Sequence, residues 1–308
     1  MGAIMQSLDV LVVGELNVDL ILGGDVTPAF GQVEQLLDDA TLTIGSSSAI
    51  AACGMARLGL RVAFAGLVGD DLFGRFMLDA LAARGVDVAA VVVDPAVKTG
   101  VSVILSRGED RAILTFPGSI AALRAEHVDL ALLGRARHLH LGGYFLLDRL
   151  RPAVPGLFAA ARSAGLTVSL DTNYDPAGKW AGLERVLARV DILLPNEAEL
   201  LAISGVADVE AGLAALAGRV GVVALKRGAA GGMARRGAEV VRSAAPPARV
   251  VDTTGAGDSF NAGFVYGQLA GWGLERSLRF ACACGARSTE GRGGTDAQPT
   301  LAEALALL

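Results

Sequence analysis

The chain has 308 residues, 52% of them hydrophobic, and a formal net charge of −5. That length suits one α/β domain with a sizeable core, and the mild negative charge argues against a nucleic-acid partner, which would call for a basic surface. Cys53, Cys282 and Cys284 form no spaced framework, the N-terminus lacks a basic stretch before an apolar one, and no apolar run reaches the ~18 residues of a membrane span. A cytoplasmic protein with free thiols and no membrane partner is therefore expected.

Residues 9–14 (Asp-Val-Leu-Val-Val-Gly) read as a buried first strand. Glu15, Asn17 and Asp19 alternate after it and so share one strand face, either an exposed sheet edge or the polar wall of a cleft. Residues 41–44 are a short strand. Gly45 and three serines, Ser46 to Ser48, then precede a helix over 49–58, where serines are ordinary caps. A strand over 61–68 leads into a helix that Asp70 is placed to cap and that ends near Gly85.

Residues 99–106 and 111–116 alternate around a charged turn, which predicts a hairpin. This hairpin fits no βα unit. Together with residues near 15–44 it predicts a small β lid, contributed by about 15–44 and 96–118, over one α/β domain spanning 1–308. A lid would exclude water from the site beneath it.

Residues 137–141 form a strand on which His138 and His140 share a face, with no third metal ligand nearby in sequence. A helix over 153–164 and a strand over 166–170 lead to Asp171-Thr172-Asn173-Tyr174-Asp175-Pro176, a polar run at the strand end where α/β sites form. A strand over 190–194 precedes Asn196 and Glu199, spaced as a capping box. A strand over 221–225 runs into Lys226 and the glycine-bearing 228–232. Helices over 274–289 and 300–308 flank a glycine loop at 291–294. Alternation of strands and helices from residue 46 onward predicts a largely parallel sheet with helices on both faces.

The most informative stretch is Asp252-Thr253-Thr254-Gly255-Ala256-Gly257-Asp258-Ser259-Phe260. A strand end feeds a small, glycine-bearing turn. Phe260, Phe264, Val265 and Leu269 then recur at helical spacing. A glycine turn at a helix N-terminus gathers unpaired amides and the positive dipole end at one point, an anion site. Asp258 stands where those amides converge. A carboxylate is repelled by bound polyphosphate, so its presence asks for a reason, and a general base acting on an attacking hydroxyl is one.

This stretch resembles the signature of the ribokinase-like (PfkB) family of carbohydrate and nucleoside kinases, and the likeness runs from about residue 8 to 300. The resemblance implies ATP-dependent phosphorylation of a hydroxyl on a sugar or sugar derivative. Asp258 would be the base, and the amides of Gly255, Ala256 and Gly257 the anion hole. Asn17, Asp19, Gly45, Ser46 and Asn173 would bind substrate. Asn196, Lys226, Gly228 and Thr253 would border the nucleotide. Glu199 would organise Mg2+ through water, and Asp252 and Thr254 would hold a monovalent cation such as K+. Paired lids would form a homodimer.

Three positions depart from the family pattern: Ser46 stands where a second glycine is usual, Ile50 where an Asn is usual, and Asp175 where several sugar-acid and ketose kinases carry Arg. A nucleoside kinase of the same family and a non-catalytic sugar- or nucleotide-sensing protein are the rival readings. No Gly-x-x-x-x-Gly-Lys-Ser/Thr occurs, and Gly14-Glu15-Leu16 does not open a dinucleotide motif.

Overall fold

The computed structural model describes residues 7–107 and 110–308. In chain order the elements are β1 (Val10–Val13), β2 (Asn17–Gly23), β3 (Asp39–Ile44), α1 (Ser47–Arg57), β4 (Val62–Ala65), β5 (Leu67–Gly69), α2 (Leu72–Ala83), β6 (Val86–Asp87), β7 (Val92–Asp94), β8 (Gly100–Arg107) and β9 (Asp110–Phe116). There follow α3 (Ser119–Ala122), β10 (His138–Leu141), α4 (Val154–Ser163), β11 (Thr167–Leu170), α5 (Glu184–Leu187), β12 (Ile192–Leu193), α6 (Glu197–Ser204), α7 (Val209–Ala217) and β13 (Val222–Lys226). The chain closes with β14 (Gly232–Arg236), β15 (Glu239–Ser243), α8 (Ala256–Leu269), α9 (Leu274–Ser288) and α10 (Leu301–Leu305).

Nine strands form the main sheet in the order β15-β14-β13-β12-β11-β10-β1-β4-β6. From β13 to β6 the pairings are parallel. The β14–β15 hairpin adds an antiparallel edge that the strand-and-helix alternation did not foretell, because Gly-Met-Ala-Arg-Arg in β14 shows no alternation of apolar and polar residues. Helices cover both faces. In β1, Val10 and Val12 pack with α1, α2, α8 and α9, while Leu11 and Val13 pack with α4, α5, α6 and α7. A strand buried on both faces reads as a continuous apolar run, as Val-Leu-Val-Val does. The chain order turns back at β1, with β4 on one side and β10 on the other. The crevice at the C-terminal ends of these two strands is where α/β sheets take ligands.

A second sheet, β3-β2-β8-β9, is mixed: β2 and β8 run parallel and the outer pairs antiparallel. Register sets Asp19 beside Thr43 on β3 and Ser102 on β8, so these polar groups share one face. The opposite face carries Leu20, Leu42, Val103 and Leu114 in one cross-strand row.

Two local expectations change. Asp71, not Asp70, caps α2, its Oδ1 accepting from the Gly74 amide at 2.8 Å, while Asp70 pairs with Arg75. Glu15 does not share the β2 face with Asn17 and Asp19. It lies in the turn before β2 and faces the start of α1. No single helix among the described residues is long and apolar enough to cross a membrane.

Candidate active site

The N-terminus of α8 lies at the rim where the parallel strands end. Gly255, with φ 71°, supplies the left-handed residue that turns the chain into the helix. A Cβ there would stand 2.6 Å from Gly294 Cα and 2.9 Å from Ile50 Cγ2, so both backbone and space require glycine. Ile50 therefore buttresses the turn. Asp252 ties it to the 291–294 loop, accepting from the amides of Thr254 at 2.9 Å and Gly293 at 2.8 Å. No side chain caps α8; the Ala256 amide makes a long bond to Thr253 O at 3.3 Å, and the following amides of the first turn are open to an anion.

Asp258 sits in that first turn and is buried. Burial, followed by the charge of Asp171, pushes its carboxyl well above the usual range. Lys226 opposes this, while Glu15 and Glu199 add to it. Lys226, at the end of β13, reaches Asp171 Oδ2 with its Nζ at 2.6 Å. Asn261, one helical turn after Asp258, donates to the same oxygen at 2.5 Å. Burial works against the charge on each member of this pair. Mutual attraction more than offsets it, holding Asp171 low and Lys226 high.

Glu199 and Asn196 form the expected capping box at the start of α6. Glu199 Oε2 accepts from the Asn196 amide at 2.9 Å and Oε1 from its side chain at 2.8 Å. Burial and the nearby Asp171 raise the Glu199 carboxyl to about 7. Four carboxylates, Glu15, Asp171, Glu199 and Asp258, thus lie buried at one rim, with Lys226 as their cation.

The opposite wall starts at the root of the small sheet. Asn17 Nδ2 donates to Asp19 Oδ1 at 3.1 Å, and both side chains are buried. Burial raises the Asp19 carboxyl to about 7, opposed by Arg111 and Asn17 and reinforced by Asp252. A Cβ at Gly45 would lie 2.2 Å from Asp19 Oδ1 and 2.5 Å from Asn17 Nδ2, so any larger residue would displace these two side chains. Ser46 adopts φ 67°, ψ 116°, a backbone that glycine favours. Its hydroxyl donates to Glu15 O at 2.6 Å and accepts from the Ala49 amide at 3.0 Å. Those bonds stabilise a conformation that a non-glycine residue adopts at a cost of about 1–3 kcal/mol.

Asn173, also at positive φ, joins the walls. Its Oδ1 accepts from Ser47 Oγ and from the Gly143 amide, both at 2.8 Å. Glu15 accepts from the Ser48 amide at 3.1 Å and from the Ser48 hydroxyl at 2.5 Å, and it shares the single Ser47 hydroxyl proton, at 3.0 Å, with Asn173.

A cleft of about 1080 Å³ runs between the inner face of the small sheet and the 250–254 segment, lined by Ile21, Thr43, Ile104, Arg111, Thr253 and Gly293 among others. Arg111 crosses it, donating to Thr254 Oγ1 at 3.1 Å. Of the residues expected to hold a monovalent cation, Asp252 accepts from two loop amides and Thr254 Oγ1 accepts from Arg111. Lys226, suggested for the phosphates, is engaged by Asp171. Gly228, at φ 54°, has open space around it. His138 and His140 are not arranged for metal: hydroxyls of Thr167 and Ser169 satisfy them at 2.7 Å, and burial holds both neutral. Among the described residues no group of three His, Cys, Asp or Glu is placed to hold a metal ion.

Asp171, Glu15, Ser47 and Asn261 have no individual role assigned from the sequence, and the fold brings them to the same rim. Asp171 had a legible signal, a charge directly after the buried run of β11. Asn261 had another, its i+3 spacing from Asp258 on a buried helix.

The model of the pfkB family carbohydrate kinases matches residues 7–301. A fructokinase of Klebsiella pneumoniae is 34% identical over 307 residues, covering 94% of this chain and 95% of the relative. Among solved structures, an E. coli ribokinase II candidate in complex with ATP and Mg2+ superposes with a TM-score of 0.86 at 27% identity, over 97% of this chain and 98% of that one. The Arabidopsis thaliana ribokinase complexed with ribose and ATP gives 0.86 at 25% identity, with the same coverage. The small sheet, the uncapped glycine turn and its buried aspartate thus fall within a likeness that spans nearly the whole chain, which belongs to the pfkB family of carbohydrate kinases.

Proposed function

We propose that this carbohydrate kinase transfers the γ-phosphoryl group of ATP to a hydroxyl of a small sugar or sugar derivative, with Asp258 as general base. The observation that carries the reading is a buried carboxylate in the first turn of a helix whose amides no side chain caps. Asp19 and Asn17 orient substrate hydroxyls from the root of the lid, and a carboxylate accepts two directed bonds from a sugar. Gly45, Ser46 and Asn173 complete that wall. Asp258 takes the proton from the attacking hydroxyl as the new O–P bond forms and the bond from the γ-phosphorus to the β–γ bridging oxygen breaks, leaving ADP. The amides of Gly255, Ala256 and Gly257 hold the charge on the transferring phosphoryl group in place. Thr253 and Gly228 border the nucleotide.

The residues present fit Mg2+ bound through water. Glu199 is buried, and each of its oxygens keeps lone-pair capacity beyond its bond to Asn196. Mg2+ commonly keeps its waters and is held by few protein groups. When bound it would neutralise charge on the β- and γ-phosphates. Asn196 and Glu199 would hold its waters.

We further propose a homodimer through the lid. What supports it is the outer face of the small sheet, where Leu114 is 60% and Phe116 50% exposed on β9 and Leu42 is exposed on β3 at the other edge, an apolar area of a kind that marks association surfaces.

The test of the reaction is ADP release from Mg·ATP across sugars, sugar acids and nucleosides, run beside Asp258→Asn. Turnover on one carbohydrate that falls by about 10²–10⁴-fold in the variant is expected. Turnover on nucleosides alone would replace the acceptor class. ATP binding with no turnover on any acceptor would favour the sensing reading.

A further inference from the structure

Lys226 carries a role that the phosphates do not explain. Its Nζ lies 2.6 Å from Asp171 Oδ2, and Asn261 holds that oxygen from the other side at 2.5 Å. Its stem runs beneath the first turn of α8: a Cβ built on Gly257 would stand 3.3 Å from Lys226 Cδ and 3.7 Å from Nζ. A helix N-terminus is its positive pole and does not attract a lysine. A cation meant to grip polyphosphate would also be weakened by a carboxylate at hydrogen-bond distance. The group its position does serve is the carboxylate one residue beyond Gly257.

We propose that Lys226, held by Asp171 and Asn261, is a positioning residue that keeps the Asp258 carboxylate ionised beneath the substrate hydroxyl, and is not a ligand of the nucleotide's phosphates. This rests on Asp258 being the base. The charged groups around Asp258 come from every neighbouring element. Asp171 lies after β11, Glu199 on α6 and Glu15 after β1, and all three disfavour its ionised form, as burial does. His140 on β10 is neutral through burial. Lys226, from β13, is the charge that works the other way. Asp171 therefore has two opposed effects: it anchors the lysine, and its own charge resists ionisation of the base.

The test is the pH profile of kcat, with the Kd of ATP, for Lys226→Met, Asp171→Asn and the double variant. Lys226→Met should move the acid limb up by about one pH unit, a roughly tenfold loss of rate below it, with ATP affinity unchanged. Asp171→Asn leaves the lysine unopposed and should move the limb down. The double variant leaves neither charge buried without its partner, so it should fold and return the limb toward the wild-type position.

A loss of ATP affinity in Lys226→Met with an unmoved limb would make the lysine a phosphate ligand and overturn the proposal. An equal fall in kcat at every pH would also overturn it, placing the lysine's effect on the phosphoryl group. If Lys226→Met does not fold, the double variant is compared with Asp171→Asn: an acid limb higher in the double variant is expected, and an equal limb in the two refutes the idea. Asp258→Asn is measured alongside. Retained turnover there would remove the base itself, whereas an inactive Asp258→Asn beside a wild-type Lys226→Met profile would remove only the role of the lysine.

Discussion

Replacing Gly255 by alanine tests the anion-hole geometry most directly. The backbone there has φ 71°, and holding an L-residue in the left-handed region costs about 1–2 kcal/mol. The new Cβ would also meet Gly294 Cα at 2.6 Å, Gly294 O at 2.9 Å and Ile50 Cγ2 at 2.9 Å. Two of these atoms are main chain and cannot turn aside, so overpacking adds about 1–3 kcal/mol. The sum, about 2–5 kcal/mol, should lower Tm on the order of 10 °C. Because relief requires the 252–255 turn to move away from the 291–294 loop, the amides of the helix start shift too. Loss of a donor to the transferring group then lowers kcat by about 10²–10³-fold. Thermal unfolding and ADP-release kinetics read the two effects separately. Gly257→Ala is the comparison, since its Cβ meets only the flexible stem of Lys226 at 3.3 Å, and it should cost less stability. Combining Gly255→Ala with Ile50→Ala should recover only part of the loss, because the main-chain clash remains. A Gly255→Ala protein with wild-type Tm and kcat would refute this account of the turn.

Asp19, raised to about 7 in the folded chain from an ordinary value of 3.8, holds its proton in the native state over a range where the unfolded chain has lost it. Stability from this group therefore falls as pH rises from about 4 to about 7. Affinity for the sugar should rise through the same window, because the ionised carboxylate is the better acceptor; a pH-independent KM between 6 and 8 would count against that role. Ser46→Ala should destabilise by about 1–3 kcal/mol, losing the helix cap while keeping the strained φ. Ser46→Gly should lie near wild type, because relief of strain offsets the lost bonds. Equal Tm values for the two variants would contradict the strain argument. Leu114→Asp with Phe116→Asp should convert the protein to a monomer by light scattering and leave its Tm nearly unchanged; a dimer that survives both changes places the interface elsewhere.

The sequence by itself determined the architecture and the chemical class. Strands buried on both faces must be continuous apolar runs, and Val10–Val13 is one. The hairpin around 100–116 interrupts the strand-and-helix alternation and so marks a separate sheet. The run from Asp252 to Phe260 is local: strand end, turn and helix start lie within one stretch, so its chemistry could be read without knowing the fold. What only the tertiary structure decided are the groups whose neighbours lie far along the chain. In the sequence Lys226 has no visible partner, and only the fold puts Asp171, 55 residues earlier, 2.6 Å from it. Glu15 looks like a strand residue until its carboxylate meets Ser47 and Ser48 at the start of α1. Ile50 stands out by sequence as a lost asparagine, and in the fold it packs against Gly255 and Gly294. Periodicity reports which face of an element is apolar. It carries no record of which charge from another strand end comes to lie against a given carboxylate, and that distance governs both ionisation and catalysis.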